Sequence, residues 1–229
     1  SFSCEDLGTN TVTLTVTDVN GNVTTATATV TITDDIAPTV IAQDVTLYLD
    51  ENGQATLTTA KVDNGSSDNC SLTLELDEIN FDCSDVGTQT VTRTGTDNSG
   101  NTAAATATVT VVDNIGPSFD SLDFTLDLND EGIASLTPNQ VYTIPVDNCG
   151  IASIEVDPTD FDCDDLGENT VSITITDVNG NETIKTATIT VRDVTPPVVA
   201  TTNITRTIGA SGVVNITSED ILCYNGNQS

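Results

Sequence analysis

The chain contains no histidine, no tryptophan and no methionine. Without imidazole, His-based triads, His general bases and His-ligated metals are excluded. Lys and Arg together number 5 against 35 Asp and Glu, a formal net charge of -30. That excludes nucleic acid as a direct partner, because phosphate binding needs clustered cations, and it argues against an anionic membrane surface for the same reason. No apolar run approaches the roughly 20 residues that span a bilayer, so direct membrane insertion is not expected, and the first residues carry no signal-peptide pattern. Hydrophobic residues make up 37 % and aromatics 3 % of the 229 residues, enough for two or three thin cores but not for one large one. What the chain has in quantity is Thr, Val and Asp in alternation, which reads as all-β.

Self-similarity decides the architecture. Phe2-Ser3-Cys4 recurs as Phe81-Asp82-Cys83 and Phe161-Asp162-Cys163, at offsets of 79 and 80. The same offsets carry Asp18-Val19-Asn20-Gly21-Asn22 to Asp97-Asn98-Ser99-Gly100-Asn101 and to Asp177-Val178-Asn179-Gly180-Asn181. Asp34 and Pro38 recur as Asp113 and Pro117, then as Asp193 and Pro197. One unit of about 80 residues is therefore tandemly repeated. Residues 1–34 read as the end of a preceding unit, 35–113 and 114–193 as complete units, and 194–229 as the beginning of a further one. The expectation is a window cut from a longer chain; the rarer alternative is that a neighbouring molecule supplies the missing strands, giving a polymer.

Within a unit, Val12, Leu14 and Val16 share one face of a strand while Thr11, Thr13, Thr15 and Thr17 share the other. After the Asn-Gly turn, Ala26, Ala28, Val30 and Ile32 repeat the pattern, which together makes a hairpin. Val45, Leu47 and Leu49 alternate, as do Leu72, Leu74 and Leu76, and no segment shows a helical period. About six or seven short strands per unit predict an immunoglobulin-like β-sandwich, the repeats standing end to end. One departure is visible: Arg93 and Gly95 fall where the first hairpin has Leu14 and Val16, so the core there is expected to be weaker.

Cys70 and Cys83 lie in one unit and Cys149 and Cys163 in the next, without the short Cys-x-x-Cys spacing of zinc sites or redox motifs. Two disulfides within the units, Cys70–Cys83 and Cys149–Cys163, are the favoured reading, against free buried thiols. They imply an oxidising, extracytoplasmic location. Cys4 is then expected to find its partner upstream of residue 1, and Cys223 falls six residues before the slot matching Cys149, breaking register. The linkers, such as Asp34-Asp35-Ile36-Ala37-Pro38, are short and stiffened by proline, which favours a semi-rigid rod over a loose string.

Tracing strand direction through a unit brings Asp34 and Asp35 of the linker to one pole with Asp63, Asp68 and Asp97. At the next linker Asp113 is expected to meet Asp147 and Asp177, and Asp193 begins the same arrangement again. Several carboxylates at one pole with few cations nearby call for water or a cation, and calcium suits an all-oxygen donor set. The competing reading is purely local: Asp-x-x-Gly-Asn also makes a good tight turn. No loop matches the EF-hand spacing. Paired carboxylates also serve glycosidases, but such a site needs a concave cleft and sugar-stacking aromatics, and this chain has no Trp, three Tyr and five Phe, so no enzymatic activity and no catalytic residue is expected.

The run Thr13-Leu14-Thr15-Val16-Thr17-Asp18, then Gly21-Asn22, Ala28-Thr29-Val30-Thr31-Ile32 and an Asp before Pro38, resembles hyalin-repeat (HYR) and related bacterial Ig-like modules. Asp68-Asn69-Cys70 with Phe81-Asp82-Cys83 is similar to their disulfide-bearing versions, found in large surface adhesins of Bacteroidetes. The ending Ile221-Leu222-Cys223-Tyr224-Asn225-Gly226-Asn227 resembles the opening of an SprB-type repeat. The resemblance implies a non-catalytic stalk or array of an extracellular, bacterial cell-surface adhesin, whose partners are neighbouring repeats of the same chain. Two alternatives stay open: a module that binds a glycan or protein ligand, and a subunit that self-assembles into extracellular filaments.

Overall fold

The computed structural model describes residues 1–196, 200–201, 203–217 and 222–223. The chain divides into two compact units, Ser1–Ile115 and Gly116–Ser229, and its described elements are short strands joined by turns and brief helical turns.

The first unit opens with a hairpin of β1 (Gly8–Thr17) and β2 (Val23–Ile32), paired antiparallel from Gly8 opposite Ile32 to Thr17 opposite Val23. Its turn needs Gly21 at φ +90°, a conformation that costs a residue with Cβ. Asp18 Oδ1 closes the turn by accepting the N–H groups of Asn20 and Asn22. The apolar side is not covered: Leu14 is 66 % and Val16 52 % exposed, as expected of two strands, which cannot bury a face by themselves.

The rest of the first unit is an immunoglobulin-like β-sandwich. One sheet runs β3 (Val45–Tyr48), β8 (Thr102–Val112), β7 (Gly87–Thr96), β5 (Thr73–Leu76). In it β3 lies parallel to β8 and the other pairs are antiparallel. The second sheet pairs β4 (Gln54–Thr56) with β6 (Asn80–Asp82), and one helical turn, α1 (Thr59–Val62), follows β4. Because side chains alternate across a strand, Leu47 and Leu49, Val91, Val109 and Val111 all point inward, where Leu57, Val62 and Phe81 are buried too. Their β-branched threonine neighbours face out.

The space at Arg93 and Gly95, where a weaker core is expected, is filled. Arg93 is fully buried in β7. Its Nη1 donates to Asp63 Oδ1 at 2.5 Å, to the Ile41 carbonyl at 3.1 Å and to Ser66 Oγ at 3.2 Å. At Gly95 the missing side chain is replaced by neighbours: a Cβ built there would stand 2.6 Å from Val40 Cγ2 and 3.0 Å from Leu72 Cδ1. Gly95→Ala therefore overpacks this spot and is expected to cost about 1–3 kcal/mol, read as a lower urea midpoint. An unchanged midpoint would show that Val40 and Leu72 move aside freely.

The second unit repeats the topology with β9 (Phe124–Leu128), β10 (Ile133–Ser135), β11 (Ile151–Asp157), β12 (Asp160–Asp162), β13 (Gly167–Asp177) and β14 (Glu182–Asp193). The sheet order is β11-β13-β14-β9, with β10 paired to β12 apart from it. Here the two places held by Arg93 and Gly95 are Ile173 and Ile175, both fully buried in a core shared by Phe119, Val141, Phe161 and Val171. A final antiparallel pair, β15 (Ala200–Thr201) with β16 (Leu222–Cys223), follows. Most of the Ile221–Asn227 ending that resembles an SprB-type repeat lies outside the described residues.

Candidate metal centre

Three of the sequence-selected acids come together in the first unit. Asp34 lies just after β2, Asp68 in the loop before β5, and Asp97 opens the turn after β7. Each offers a carboxylate oxygen, and the three oxygens lie within 4.8 Å of one another. Asp34 and Asp97 are buried, and Asp68 is half-buried.

Local backbone chemistry fixes each carboxylate. Asp97 Oδ1 accepts the N–H groups of Ser99 (2.9 Å) and Asn101 (2.8 Å), and its Oδ2 accepts Asn101 Nδ2 at 2.7 Å. Burial pushes the Asp97 carboxyl up, but the bonds from the Asn101 side chain and from the Asn101 and Ser99 amides outweigh it and hold the group below its ordinary value. Asp97 is therefore anionic at neutral pH. Asp68 Oδ2 accepts the N–H groups of Cys70 (2.8 Å) and Ser71 (3.0 Å), while its Oδ1 is buried with no hydrogen-bond partner. Asp34 Oδ1 accepts the Ile36 N–H, and its Oδ2 accepts Asn69 Nδ2 at 3.1 Å. The two readings of Asp-x-x-Gly-Asn thus converge: the motif is a tight turn, and the turn is what presents Asp97 to the other two acids.

Two asparagines belong to this arrangement although the sequence reading passed over them. Asn101 bridges Asp97 to the Asp34 backbone carbonyl at 2.9 Å, and Asn69 reaches Asp34. Each is the invariant companion of an acid within the repeated motifs, the only sequence trace of its role. Among the described residues the ion pairs go to Asp63, Asp120 and Asp127, so no cation neutralises Asp34, Asp68 or Asp97.

The remaining candidates are placed differently. Asp35 is exposed and outside the group. Asp63 is drawn to Arg93, whose side-chain hydrogen bond, followed by those from the Ser66 amide and hydroxyl, holds its carboxyl well below the usual range. Asp193 is exposed at the end of β14 and is lowered by the Thr195 hydroxyl and then the Thr195 amide. Asp113 is buried at the end of the first unit, its Oδ1 accepting the Ile115 N–H at 3.2 Å. In the second unit Asp147 and Asp177 bring carboxylate oxygens within 4.8 Å. Asp147 Oδ1 accepts from Cys149 and Gly150, and Asp177 Oδ1 from Asn179 and Asn181, as Asp68 and Asp97 do in the first.

The cysteines correct the expected pairing. Cys70 is bonded to Cys4, 66 residues away, not to Cys83, and Cys4 needs no partner upstream. Cys163 is a free thiol, so the Cys149–Cys163 pair does not form either; Cys83 and Cys149 are each disulfide-bonded. The reason is the length of the sheet. Cys83 Sγ sits 3.8 Å from the Gly53 carbonyl, at the turn that follows β3, whereas Cys70 lies at the other pole beside Asp68. Cys163 occupies the matching place, 3.6 Å from the Gly132 carbonyl. Short sequence separation there means a climb across the sandwich. The Cys4–Cys70 bond adjoins the acids: Cys4 Sγ lies 3.4 Å from the Asn69 carbonyl, and the same Asn69 holds Asp34.

No family model matches the chain, and no curated protein does. Among solved structures it is similar to the protocadherin gamma B2 extracellular cadherin domains 1-5, at 14 % identity over 85 % of this chain and 48 % of that one, TM-score 0.32. Mouse clustered PcdhgC3 EC1-3 aligns at 17 % identity over 83 % of this chain and 80 % of that one, TM-score 0.32. Sidekick-1 immunoglobulin domains 1-4 align at 10 % identity over 83 % and 60 %, TM-score 0.38. The chain spans 57 % of PcdhgB3 EC1-4, about half of such ectodomain structures. Likeness at this level says nothing of ligand or partner. Among the described residues no helix is long and apolar enough to cross a membrane.

Proposed function

We propose that this chain is a non-catalytic stalk segment of an extracellular adhesion protein of the hyalin-repeat-like bacterial type, in which calcium held by Asp34, Asp68 and Asp97 stiffens the join between repeats. The observation that carries the metal is Asp68 Oδ1: a buried carboxylate oxygen without a hydrogen-bond partner, within 4.8 Å of two further carboxylate oxygens. A buried, unpaired carboxylate oxygen is costly, and an all-oxygen donor set with no thiolate or imidazole matches a hard cation. Bound calcium would supply charge neutralisation and a fixed geometry, not chemistry. Disulfides support an oxidising compartment, and the tandem units joined by short proline linkers support extension.

The test is thermal unfolding of the 229-residue chain in millimolar calcium and in chelator, at matched ionic strength. Extracellular calcium modules bind at about 10⁻⁴–10⁻³ M, so roughly 10 mM ion adds about 1.4–2.7 kcal/mol per site to the folded state. The melting temperature is expected to rise by several degrees, and the rise to shrink in Asp68→Asn, which keeps the side-chain size and removes the charge. No rise beyond that of sodium chloride would overturn the metal.

A further inference from the structure

We propose that the Cys4–Cys70 disulfide is the load path between the first hairpin and the sandwich that follows it. Tension along the chain crosses at the two sulfurs, and residues 5–69 hang in a covalent loop that carries none of it. The tension itself rests on the stalk reading above; the bond does not.

The argument is one of connectivity. A pull arriving upstream of Cys4 and leaving downstream of Cys70 can follow 66 residues of backbone or one bridge that spans 5.3 Å between Cα atoms. The shorter covalent route becomes taut first. Inside the shunted loop lie β1, β2, the Asp34–Pro38 linker, β3, β4 and α1, together with Asp34 and Asp68.

What the bond protects is the element that would otherwise open first. Gly8 and Ile32 are register partners at the open end of the β1–β2 ladder. A chain pulled from these two residues breaks the ladder one pair at a time, the weakest way to load a hairpin, because each pair yields before the next shares the force. Packing gives no help, since Leu14 and Val16 are exposed. The linker and the acids behind it would be next to give. With Cys4, just before β1, tied to Cys70, just before β5, the hairpin is bypassed and the Asn69–Asp34 and Asn101–Asp34 contacts have only to orient.

The experiment stretches the 229-residue chain between its termini in a single-molecule force instrument, comparing the oxidised protein with Cys4→Ser/Cys70→Ser. The double variant leaves no orphan thiol to mispair. Its fully extended length is expected to exceed that of the oxidised chain by roughly 220–240 Å, at about 3.3–3.6 Å per residue. It is also expected to show an early low-force step of roughly 80 Å, the length released from Gly8 to Ile32, that the oxidised chain lacks. Full extension depends on covalent connectivity, so the length reads correctly even where the variant folds poorly. Equal lengths, or the early step in the oxidised chain as well, would overturn the proposal. A length difference without calcium-dependent melting would overturn the metal and leave the load path; calcium-dependent melting with equal lengths would do the reverse.

Discussion

Replacing Asp63 with alanine is expected to destabilise the first sandwich more than any other single carboxylate change. The loss falls on its partner. The Arg93 side chain is 1 % exposed, and without the carboxylate its charge faces only the Ile41 carbonyl and the Ser66 hydroxyl. A guanidinium stranded in the interior costs about 3–5 kcal/mol, a large fraction of what a small domain has. Urea denaturation measures it, and Arg93→Ile with Asp63→Ala gives the control. Isoleucine is what the second unit carries at this place, as Ile173, and an apolar replacement for a buried ion pair is often neutral. The double variant should therefore recover most of the loss. A double variant as unstable as Asp63→Ala alone would assign the effect to the bond from the Ser66 N–H to Asp63 instead.

The same pair sets a pH dependence. The folded-state pKa of Asp63 is depressed, first by the Arg93 side-chain hydrogen bond and then by Ser66. A depressed carboxylate binds fewer protons folded than unfolded, so its stabilisation is complete above the ordinary value of about 3.9 and drains away as pH falls below it. Asp18, Asp50, Asp77, Asp82 and Asp97 shift in the same direction. Melting temperature should thus fall steeply below about pH 4, and the slope should lessen, not vanish, in Asp63→Ala/Arg93→Ile.

How much of this was legible follows from what is local. The hairpins were, because Val12, Leu14 and Val16 against the threonines state a period of two and Asn20-Gly21-Asn22 states the turn. The grouping of Asp34, Asp68 and Asp97 was legible as well, since strand direction alone puts the three at one pole. Asp63 was not. Its carboxylate goes to a buried arginine, and period two says that Arg93 points inward without saying which of several acids meets it. What fills the space at Gly95 was not legible either, because the sequence does not show Val40 and Leu72 occupying it. The cysteines were misread because closeness along the chain was taken for closeness in space. Cys4 and Cys70, the pair that does form, are 66 residues apart.

The second large effect is expected from removing the Cys4–Cys70 bond at equilibrium, without force. Loop-closure entropy grows with the logarithm of loop length, so a 66-residue loop is worth more than the dozen-residue loops first expected. In the chain-entropy model it contributes about 4 kcal/mol, against about 3 for a short loop. Cys4→Ser/Cys70→Ser should lower the urea-derived stability of the first unit by that order. Amide exchange adds a spatial readout: β1–β2 should lose protection first, because its exposed Leu14 and Val16 offer little packing to hold it once the tether is gone, while β7–β8 should keep theirs until global unfolding. An unchanged urea midpoint would mean that the hairpin docks through the Asp34 contacts alone. The predicted order of loss has a structural reason. A chain with 3 % aromatics builds thin cores, and where a core is thinnest, at a hairpin with one bare face, a covalent tether supplies what burial does not.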